Sequence, residues 1–177
     1  ITVIDNFITG KRRNIQPFMA SERFELVEHD LTDYDWLQAW LMDHEENPFS
    51  LILHFASPAS PPGYQSMPIL TYLVNSQTTH QLAQYAHKVQ ARMLFASTSE
   101  VYGDPAVHPQ PESYWGNVNP NGIRSCYDEA KRMGETICGV FAREFGADIR
   151  LIRIFNTYGP RMDLTDGRVI PSYCESA

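Results

Sequence analysis

The spacing of apolar residues along this chain predicts an alternation of strands and helices. Short apolar or alternating runs, typical of β-strands, lie at residues 1–5, 24–29, 51–55, 92–96 and 149–155. Between these runs apolar residues recur three or four positions apart, which is typical of amphipathic helices. The helical patterns cover residues 11–20, 34–44 and 69–89, and a long stretch that starts at Ser125 and continues through Phe145.

Strands that alternate with helices form right-handed crossovers, so we predict an α/β fold. The expected architecture is a Rossmann-like, doubly wound parallel sheet with helices on both faces. Two long proline-rich segments, 57–68 and 103–125, each follow a predicted strand. Ligands bind beyond the carboxyl ends of the strands in such sheets, so both segments are candidates for a binding site. Plain surface connections are the alternative interpretation.

Composition narrows the classes of function. The net charge is −7, and Lys11, Arg12 and Arg13 are the longest basic run, so we expect no nucleic-acid partner. No apolar run approaches the ~18 residues that cross a bilayer, and we expect no membrane segment. The three cysteines lack metal-ligand spacing, so we expect no metal site. They indicate reduced thiols and a cytoplasmic location.

Both ends of the chain interrupt a predicted element. The sequence begins inside an apolar run without an initiator methionine and stops at Ala177, where a helix could be starting. The glycine-rich turn that precedes such a first strand in dinucleotide-binding folds is not in the sequence. We therefore expect a sheet truncated at both ends, without the first βα unit and without a C-terminal substrate lobe.

Tyr127 and Lys131 are the strongest candidates for chemistry. They are four residues apart at the start of the long amphipathic helix, so they share one face. An ammonium near a phenol stabilises the phenolate, and we expect the pKa of Tyr127 to fall toward neutrality. Such a tyrosine can take a proton from a substrate hydroxyl, as alcohol oxidation by hydride transfer requires. The alternative is a surface contact between the two side chains.

Several residues at the ends of predicted strands indicate a dinucleotide site. Asp5 closes the first strand, where a carboxylate can accept hydrogen bonds from ribose hydroxyls and repel a 2′-phosphate, which favours NAD over NADP. Asp30 ends the second strand, and the small residues Ala56 and Ser57 follow the third. Each is also compatible with an ordinary turn, but all lie at one predicted edge of the sheet.

The fourth and fifth strands lead into further candidates. Ser99 and Glu100 follow Thr98 after the fourth strand, where hydroxyls can hold a substrate oxygen and a carboxylate can move a proton. A Ser/Thr turn with Glu100 at a helix start is the alternative. Arg161 and Arg168 follow the fifth strand and suit phosphate, or else form surface salt bridges.

Longer blocks of sequence carry a resemblance over nearly all of residues 1–171. The blocks are 3–7 with 9–10, 24–26 with 29–30, 54–62, 96–105, 114–120, 126–129 with 131–132, and 153–162 with 166–169. They resemble the extended short-chain dehydrogenase/reductase family that modifies nucleotide sugars, which includes the NAD-dependent epimerases and dehydratases. The Ser-Pro-Ala-Ser-Pro-Pro and Ser-Thr-Ser-Glu-Val-Tyr-Gly blocks are most similar to the subgroup that decarboxylates UDP-glucuronate.

The resemblance implies a function for the whole chain. Residues 1–177 would be a fragment of the NAD-binding domain, with the substrate-binding region starting at about 156–177. NAD-dependent oxidation at C4 of UDP-glucuronate would create a 4-keto intermediate, which loses CO₂ and is reduced to UDP-xylose. The relatives pair through the two long helices, which implies a homodimer.

The same resemblance assigns roles to individual residues. The implied catalytic group is Thr98, Ser99, Glu100, Tyr127 and Lys131. The implied cofactor contacts are Asp5, Asn6, Phe7, Gly10, Asp30, Leu31, Ala56 and Ser57, with Tyr127 and Lys131. The implied substrate contacts are Tyr64, Thr98, Glu100, Asn156, Arg161 and Arg168.

Two other functions remain open. A nucleotide-sugar 4-epimerase or 4,6-dehydratase would use the same fold, although dehydratases of the family carry Asp-Glu where this chain has Ser99-Glu100. Serine is a poor acid for the C6 hydroxyl, so decarboxylation is the preferred interpretation. An inactive nucleotide-binding module is the third possibility, and the joint presence of Thr98, Tyr127 and Lys131 disfavours it.

Overall fold

The computed structural model describes residues 1–163 and 166–176. Within these residues, strands and helices alternate as the sequence predicts. The strands are β1 (Thr2–Ile4), β2 (Glu25–Val27), β3 (Leu51–His54), β4 (Arg92–Thr98) and β5 (Ile149–Ile154). The helices are α1 (Tyr34–Asp43), α2 (Pro61–Ser66), α3 (Pro68–Lys88), α4 (Ser125–Phe145) and α5 (Val169–Ser176).

All strand pairs are parallel, which confirms the predicted α/β class. β3 pairs with β4 and β4 with β5, in the order β3-β4-β5, while β1 pairs with β2. The structure differs from the single predicted sheet, because β1 and β3 do not hydrogen-bond to each other. Both strands instead line a cleft of about 780 Å³, which we call the inter-sheet cleft.

Helices α3 and α4 cover one face of the three-stranded sheet. Met93 and Phe95 of β4 are fully buried beneath them, together with Leu37 of α1. This burial is the driving force for the arrangement, since each such side chain contributes about 1.5–3 kcal/mol when it leaves water. On the opposite face of the sheet, Leu51 and Leu53 of β3 are half exposed among the described residues, so that face differs from the two-sided covering we predicted.

A glycine in α4 lets the two long helices approach β4 closely. A Cβ atom on Gly134 would lie 2.9 Å from the carbonyl oxygen of Asn75 on α3 and would collide with the ring of Phe95. The small residue therefore brings α4 against both neighbours. This contact fixes the position of the candidate catalytic residues of α4 relative to the end of β4.

Two local predictions need correction. Residues 11–20 do not form an α-helix but two 3₁₀ turns, Arg12–Asn14 and Gln16–Phe18. Pro17 lacks the N–H that an α-helix would bond to the carbonyl of Arg13, which explains the break. The proline-rich segment 57–68 is not all loop, because α2 forms within it; Pro61 and Pro62 occupy the first turn, where a missing N–H costs nothing.

Candidate active site

The end of β4 presents the first group of predicted catalytic residues. Thr98 is the last residue of the strand and caps a 3₁₀ turn, Ser99–Tyr102, by accepting a hydrogen bond from the Glu100 amide at 3.3 Å. Extended backbone followed by a hydroxyl cap is a local reason for the strand to stop here. Thr98 is buried, whereas Ser99 and Glu100 are partly exposed.

Helix α4 presents Tyr127 and Lys131 toward that strand end, as the spacing predicts. Both side chains are buried. The Lys131 ammonium donates a hydrogen bond to the Ala96 carbonyl oxygen at 2.7 Å, and its Nζ lies 5.7 Å from the centre of the Tyr127 ring. A strand carbonyl therefore orients the lysine beside the phenol. Burial lowers the pKa of Lys131 from its usual 10.5 to about 7.

The pKa of Tyr127 does not fall as the sequence led us to expect. Burial of the phenol raises it above its usual value, and the charge of Asp128 adds to the rise. A hydrogen bond with the Thr98 side chain and the charges of Arg168 and Arg124 act in the lowering direction without outweighing burial. The expectation was wrong because it counted the charge of Lys131 and left out desolvation of the phenol.

Tyr64 lies against Tyr127 and not on an open surface. The two rings stack with centroids 4.8 Å apart and planes at 6°. Tyr64 is only 1% exposed, and its buried hydroxyl has no hydrogen-bond partner among the described residues. Its position on α2 therefore fixes one face of the Tyr127 ring, and its contact with substrate stays a prediction.

Sequence reasoning missed a cluster of three charges beside the phenol. Arg124, one turn before Tyr127, forms an ion pair with Glu100, and its Nε lies 3.7 Å from Asp128. Burial raises the pKa of Asp128 to about 6 against the lowering effect of Arg124. The i, i+4 spacing of Arg124 and Asp128 was a signal in the sequence, whereas the pairing with Glu100 across 24 residues was not.

These residues surround one cavity of about 310 Å³, which we call the catalytic cavity. Asn156 and Arg168 also line it, although Arg168 pairs with Asp166. Arg161 does not line it; this residue is exposed and has a positive φ of 70°. The predicted residues that meet in this cavity are Ser57, Tyr64, Thr98, Ser99, Glu100, Tyr127, Lys131, Asn156 and Arg168.

The turn after β1 has the form of a cradle around Asp5. The carboxylate accepts a hydrogen bond from the Phe7 amide at 2.7 Å, and Phe7 takes a positive φ of 56°. A Cβ atom on Gly10 would lie 3.1 Å from the same carboxylate. Phe7 does not line the inter-sheet cleft, and its ring lies under the Arg12 guanidinium at 4.5 Å.

A hydrogen bond between side chains joins the turn after β2 to the turn after β1. Asn6 donates to the Asp30 carboxylate at 3.1 Å, and Asp30 also accepts from the amide and hydroxyl of Thr32. Burial raises the pKa of Asp30, but the hydrogen bonds from Thr32 and Asn6 outweigh it and the net direction is down. The predicted cofactor residues that line the inter-sheet cleft are Asp5, Asn6, Gly10, Asp30, Leu31, Ala56 and Ser57.

Two broader properties concern the described residues alone. None of their helices is both long and apolar enough to cross a membrane. Their histidines, cysteines and carboxylates form no cluster of three that could hold a metal ion.

Known proteins resemble this chain closely. It is 47% identical over 173 residues to UDP-glucuronic acid decarboxylase 1 of Xenopus tropicalis, covering 98% of this chain and 39% of that protein. It is also 47% identical over 177 residues to UDP-glucuronic acid decarboxylase 5 of Arabidopsis thaliana, covering 100% and 49%. The chain thus spans less than half the length of these relatives.

A solved structure and a family model agree with this similarity. The dTDP-glucose 4,6-dehydratase of Streptomyces venezuelae, solved as a double mutant with NAD bound, superimposes with a TM-score of 0.81 at 26% identity. The alignment covers 99% of this chain and 51% of that one. The model of the NAD dependent epimerase/dehydratase family matches residues 1–177. The chain therefore belongs to the NAD dependent epimerase/dehydratase family.

Proposed function

We propose that this chain is the NAD-binding part of an enzyme that decarboxylates UDP-glucuronate to UDP-xylose through a 4-keto intermediate. The observation that carries the proposal is the meeting of Thr98, Glu100, Tyr127 and Lys131 in one cavity. The substrate is supported by the two decarboxylases that are 47% identical over almost the whole chain.

The inter-sheet cleft fits NAD. Asp5 and Asp30 offer carboxylates to a ribose and an adenine, and Gly10 leaves the space beside Asp5 that a side chain would fill. Asn6, Leu31, Ala56 and Ser57 would complete the contacts, with Phe7 shaping the turn. Bound NAD would supply the hydride acceptor for C4 and return the hydride at the end of the cycle.

Residues of the catalytic cavity would carry out the proton transfers. Tyr127, once deprotonated, would take the proton of the C4 hydroxyl, while Thr98 would hold the same oxygen. The ketone at C4 stands β to the carboxylate, so the C5–C6 bond breaks and its electrons pass to the C4 oxygen as CO₂ leaves. Ser99 and Glu100, which also line the cavity, would contact the substrate carboxylate and return a proton to C5.

The UDP part would be bound by two further residues of the cavity. Asn156 and Arg168 line it and would offer an amide and a guanidinium to the nucleotide. Tyr64 would contact the sugar only at the edge of its stacked ring. Arg161 lies outside the cavity, and its guanidinium would bind the diphosphate only of a substrate that extends past the cavity.

The proposal extends to the domain bounds, the oligomeric state and the location of the enzyme. We propose residues 1–177 as the NAD-binding domain, with the substrate region from about 156–177; residues 164, 165 and 177 lie outside the described ones. Half-exposed apolar residues on the long helices, Ile69 and Tyr72 on α3 and Met133 on α4, support a homodimer. Three unpaired cysteines support a cytoplasmic, reducing setting.

The deciding experiment uses the full-length protein with UDP-glucuronate and NAD⁺, followed by mass spectrometry of the nucleotide sugar. We expect loss of one CO₂ from the sugar and no loss in Tyr127→Phe, which keeps the ring stack and removes the hydroxyl. Unchanged UDP-glucuronate with active protein on another nucleotide sugar would contradict the proposal in favour of an epimerase or dehydratase. Bound NAD without turnover of any nucleotide sugar would favour an inactive binding module.

A further inference from the structure

A charged network lies on the covered face of the sheet, next to the catalytic cavity. The Glu135 carboxylate on α4 accepts a hydrogen bond from the Ser97 hydroxyl at 2.5 Å. It also accepts two from Arg153 of β5, from Nε at 2.9 Å and from Nη2 at 2.8 Å. The arginine and the carboxylate thus form a bidentate pair, which fixes direction as well as distance.

Arg153 extends the network to the segment that follows β4. Its Nη1 donates to the Tyr102 hydroxyl at 2.8 Å and to the Glu112 carbonyl oxygen at 3.1 Å. The guanidinium also lies 4.9 Å from the centre of the Tyr102 ring. One arginine therefore holds β5, the 3₁₀ turn after β4 and the long loop that follows.

Each partner in the network is a near neighbour of a candidate catalytic residue. Ser97 directly precedes Thr98 on β4, and Glu135 follows Lys131 by one turn of α4. Tyr102 ends the 3₁₀ turn that also contains Glu100, a candidate catalytic residue. The network therefore joins the elements whose relative placement decides whether the Thr98 hydroxyl meets the phenol of α4.

The ion pair between Glu135 and Arg153 fixes the geometry of the network and adds little to the stability of the fold. Burial raises the pKa of Glu135, but the hydrogen bonds from Arg153 and Ser97 outweigh it and the net direction is down. The bond to Glu135 raises the pKa of Arg153 further. Both groups stay charged at the pH of an enzyme assay, and partly buried ion pairs add little net stability compared with apolar packing.

We propose that Glu135 is a positioning residue for the reaction, which clamps Ser97 with the help of Arg153 and so places Thr98 against Tyr127. This inference rests on the proposed function of the catalytic cavity. The carboxylate does not touch the reacting atoms; it acts through one hydrogen bond to the strand that ends at Thr98. A misplacement of about 1 Å at such a contact can cost about 100-fold in rate.

The test compares full-length wild type with Glu135→Gln and Ser97→Ala, both loaded with NAD⁺. The glutamine keeps the shape and removes the charge, and the alanine removes only the hydroxyl donor. The matched control is Asp148→Asn. Asp148 also pairs with arginines, including Arg92 at 2.7 Å, but at the opposite end of β4 and β5, where its side chain is partly exposed.

For Glu135→Gln we expect kcat to fall about tenfold or more and KM for UDP-glucuronate to stay within about twofold. Ser97→Ala should lower kcat in the same direction. The double variant should lose no more than Glu135→Gln alone, because both changes act through the same contact between Ser97 and Glu135. Asp148→Asn should match the wild type.

The pH profile separates positioning from general loosening of the fold. The hydrogen bond with Thr98 lowers the pKa of Tyr127, so its weakening should move the acidic limb of the kcat profile to higher pH. The variants leave unchanged the charged groups around the phenol, which are Asp128, Arg124, Arg168 and Lys131.

Two results would overturn the inference: wild-type kcat and pH profile in both variants, or losses of kcat with an unmoved acidic limb. If Glu135→Gln does not fold, Ser97→Ala decides alone. A wild type that leaves UDP-glucuronate unchanged would contradict the proposed function instead, and the same variants would then be compared on the nucleotide sugar that it does convert.

Discussion

Lys131→Met should stabilise this protein near neutral pH while it removes activity. Lys131 is almost fully buried, and within the described part of the chain its ammonium makes one hydrogen bond, to the Ala96 carbonyl oxygen. Its pKa is lowered from 10.5 to about 7 because burial disfavours the charged form. The folded state therefore has to hold a charge in a dry site, or release a proton that the unfolded chain keeps.

The size and sign of the effect follow from proton binding. Between pH 7 and 10.5 the unfolded chain carries the proton and the folded chain has lost it, so the free energy of unfolding rises with pH. At about 1.4 kcal/mol per pH unit, the cost at pH 7 is about 4–5 kcal/mol relative to strongly alkaline solution. Methionine avoids this cost but leaves the Ala96 carbonyl unpaired, at about 1–3 kcal/mol.

We therefore expect Lys131→Met to be about 2 kcal/mol more stable than the wild type at pH 7. The advantage should shrink as pH rises and vanish near pH 9. Urea unfolding of the cofactor-free, full-length protein at several pH values measures this difference. Lys88→Met is the matched control, because Lys88 is exposed on α3 and, among the described residues, pairs only with Glu45, at 2.6 Å.

The control should differ from the wild type by less than about 1 kcal/mol and show no trend between pH 7 and 9. The reasoning would be refuted if Lys131→Met were less stable than the wild type at pH 7 by an amount that does not depend on pH. That result would mean that the hydrogen bond to Ala96 outweighs desolvation of the ammonium.

Three further predictions concern the same region. The pKa of Asp128 is raised from 3.8 to about 6, so between these pH values the folded state keeps a proton that the unfolded chain loses. Asp128→Asn should therefore be more stable than the wild type above pH 6. The difference in the midpoint of urea unfolding should vanish toward pH 4. Gly134→Ala should lower stability by about 1–3 kcal/mol, because the added methyl collides with a ring of β4, whereas Gly139→Ala meets only a flexible arginine side chain and should be neutral or stabilising in thermal unfolding. Tyr64→Phe should keep the stack on Tyr127 and remove an unpartnered buried hydroxyl, so KM for the sugar nucleotide should stay unchanged; a large rise in KM would show that this hydroxyl binds substrate.

Local patterns predicted the elements that carry the site. The four-residue spacing of Tyr127 and Lys131 required only that α4 be a helix. The placement of Thr98 at the end of β4, and of Asp5 and Asp30 just after β1 and β2, required only parallel strands. Both conditions follow from the periodicity of apolar residues, which is a property of short stretches of sequence.

Contacts between distant residues could not be predicted in the same way. Ser97 and Glu135 are 38 residues apart, and Arg153 is a further 18 from Glu135, so nothing in the local sequence shows that they meet. The direction of the Tyr127 pKa was missed for a related reason. It depends on how much protein surrounds the phenol, and burial follows from the packing of α2 and α4, not from the spacing of two residues.

The electrostatics of the catalytic cavity show which charges can assist the phenol. As the pH rises from 6 to 7, Asp128 gains a negative charge and Lys131 begins to lose its positive one, so both changes oppose ionisation of Tyr127. Arg124 and Arg168 lower the pKa of Tyr127. A guanidinium is not deprotonated in proteins, so this effect does not depend on pH in this range. The stabilisation of the phenolate that does not change between pH 6 and 7 therefore comes from the arginines. A site built from the Tyr127–Lys131 pair alone would lose its stabilising charge at the pH where the phenol has to ionise.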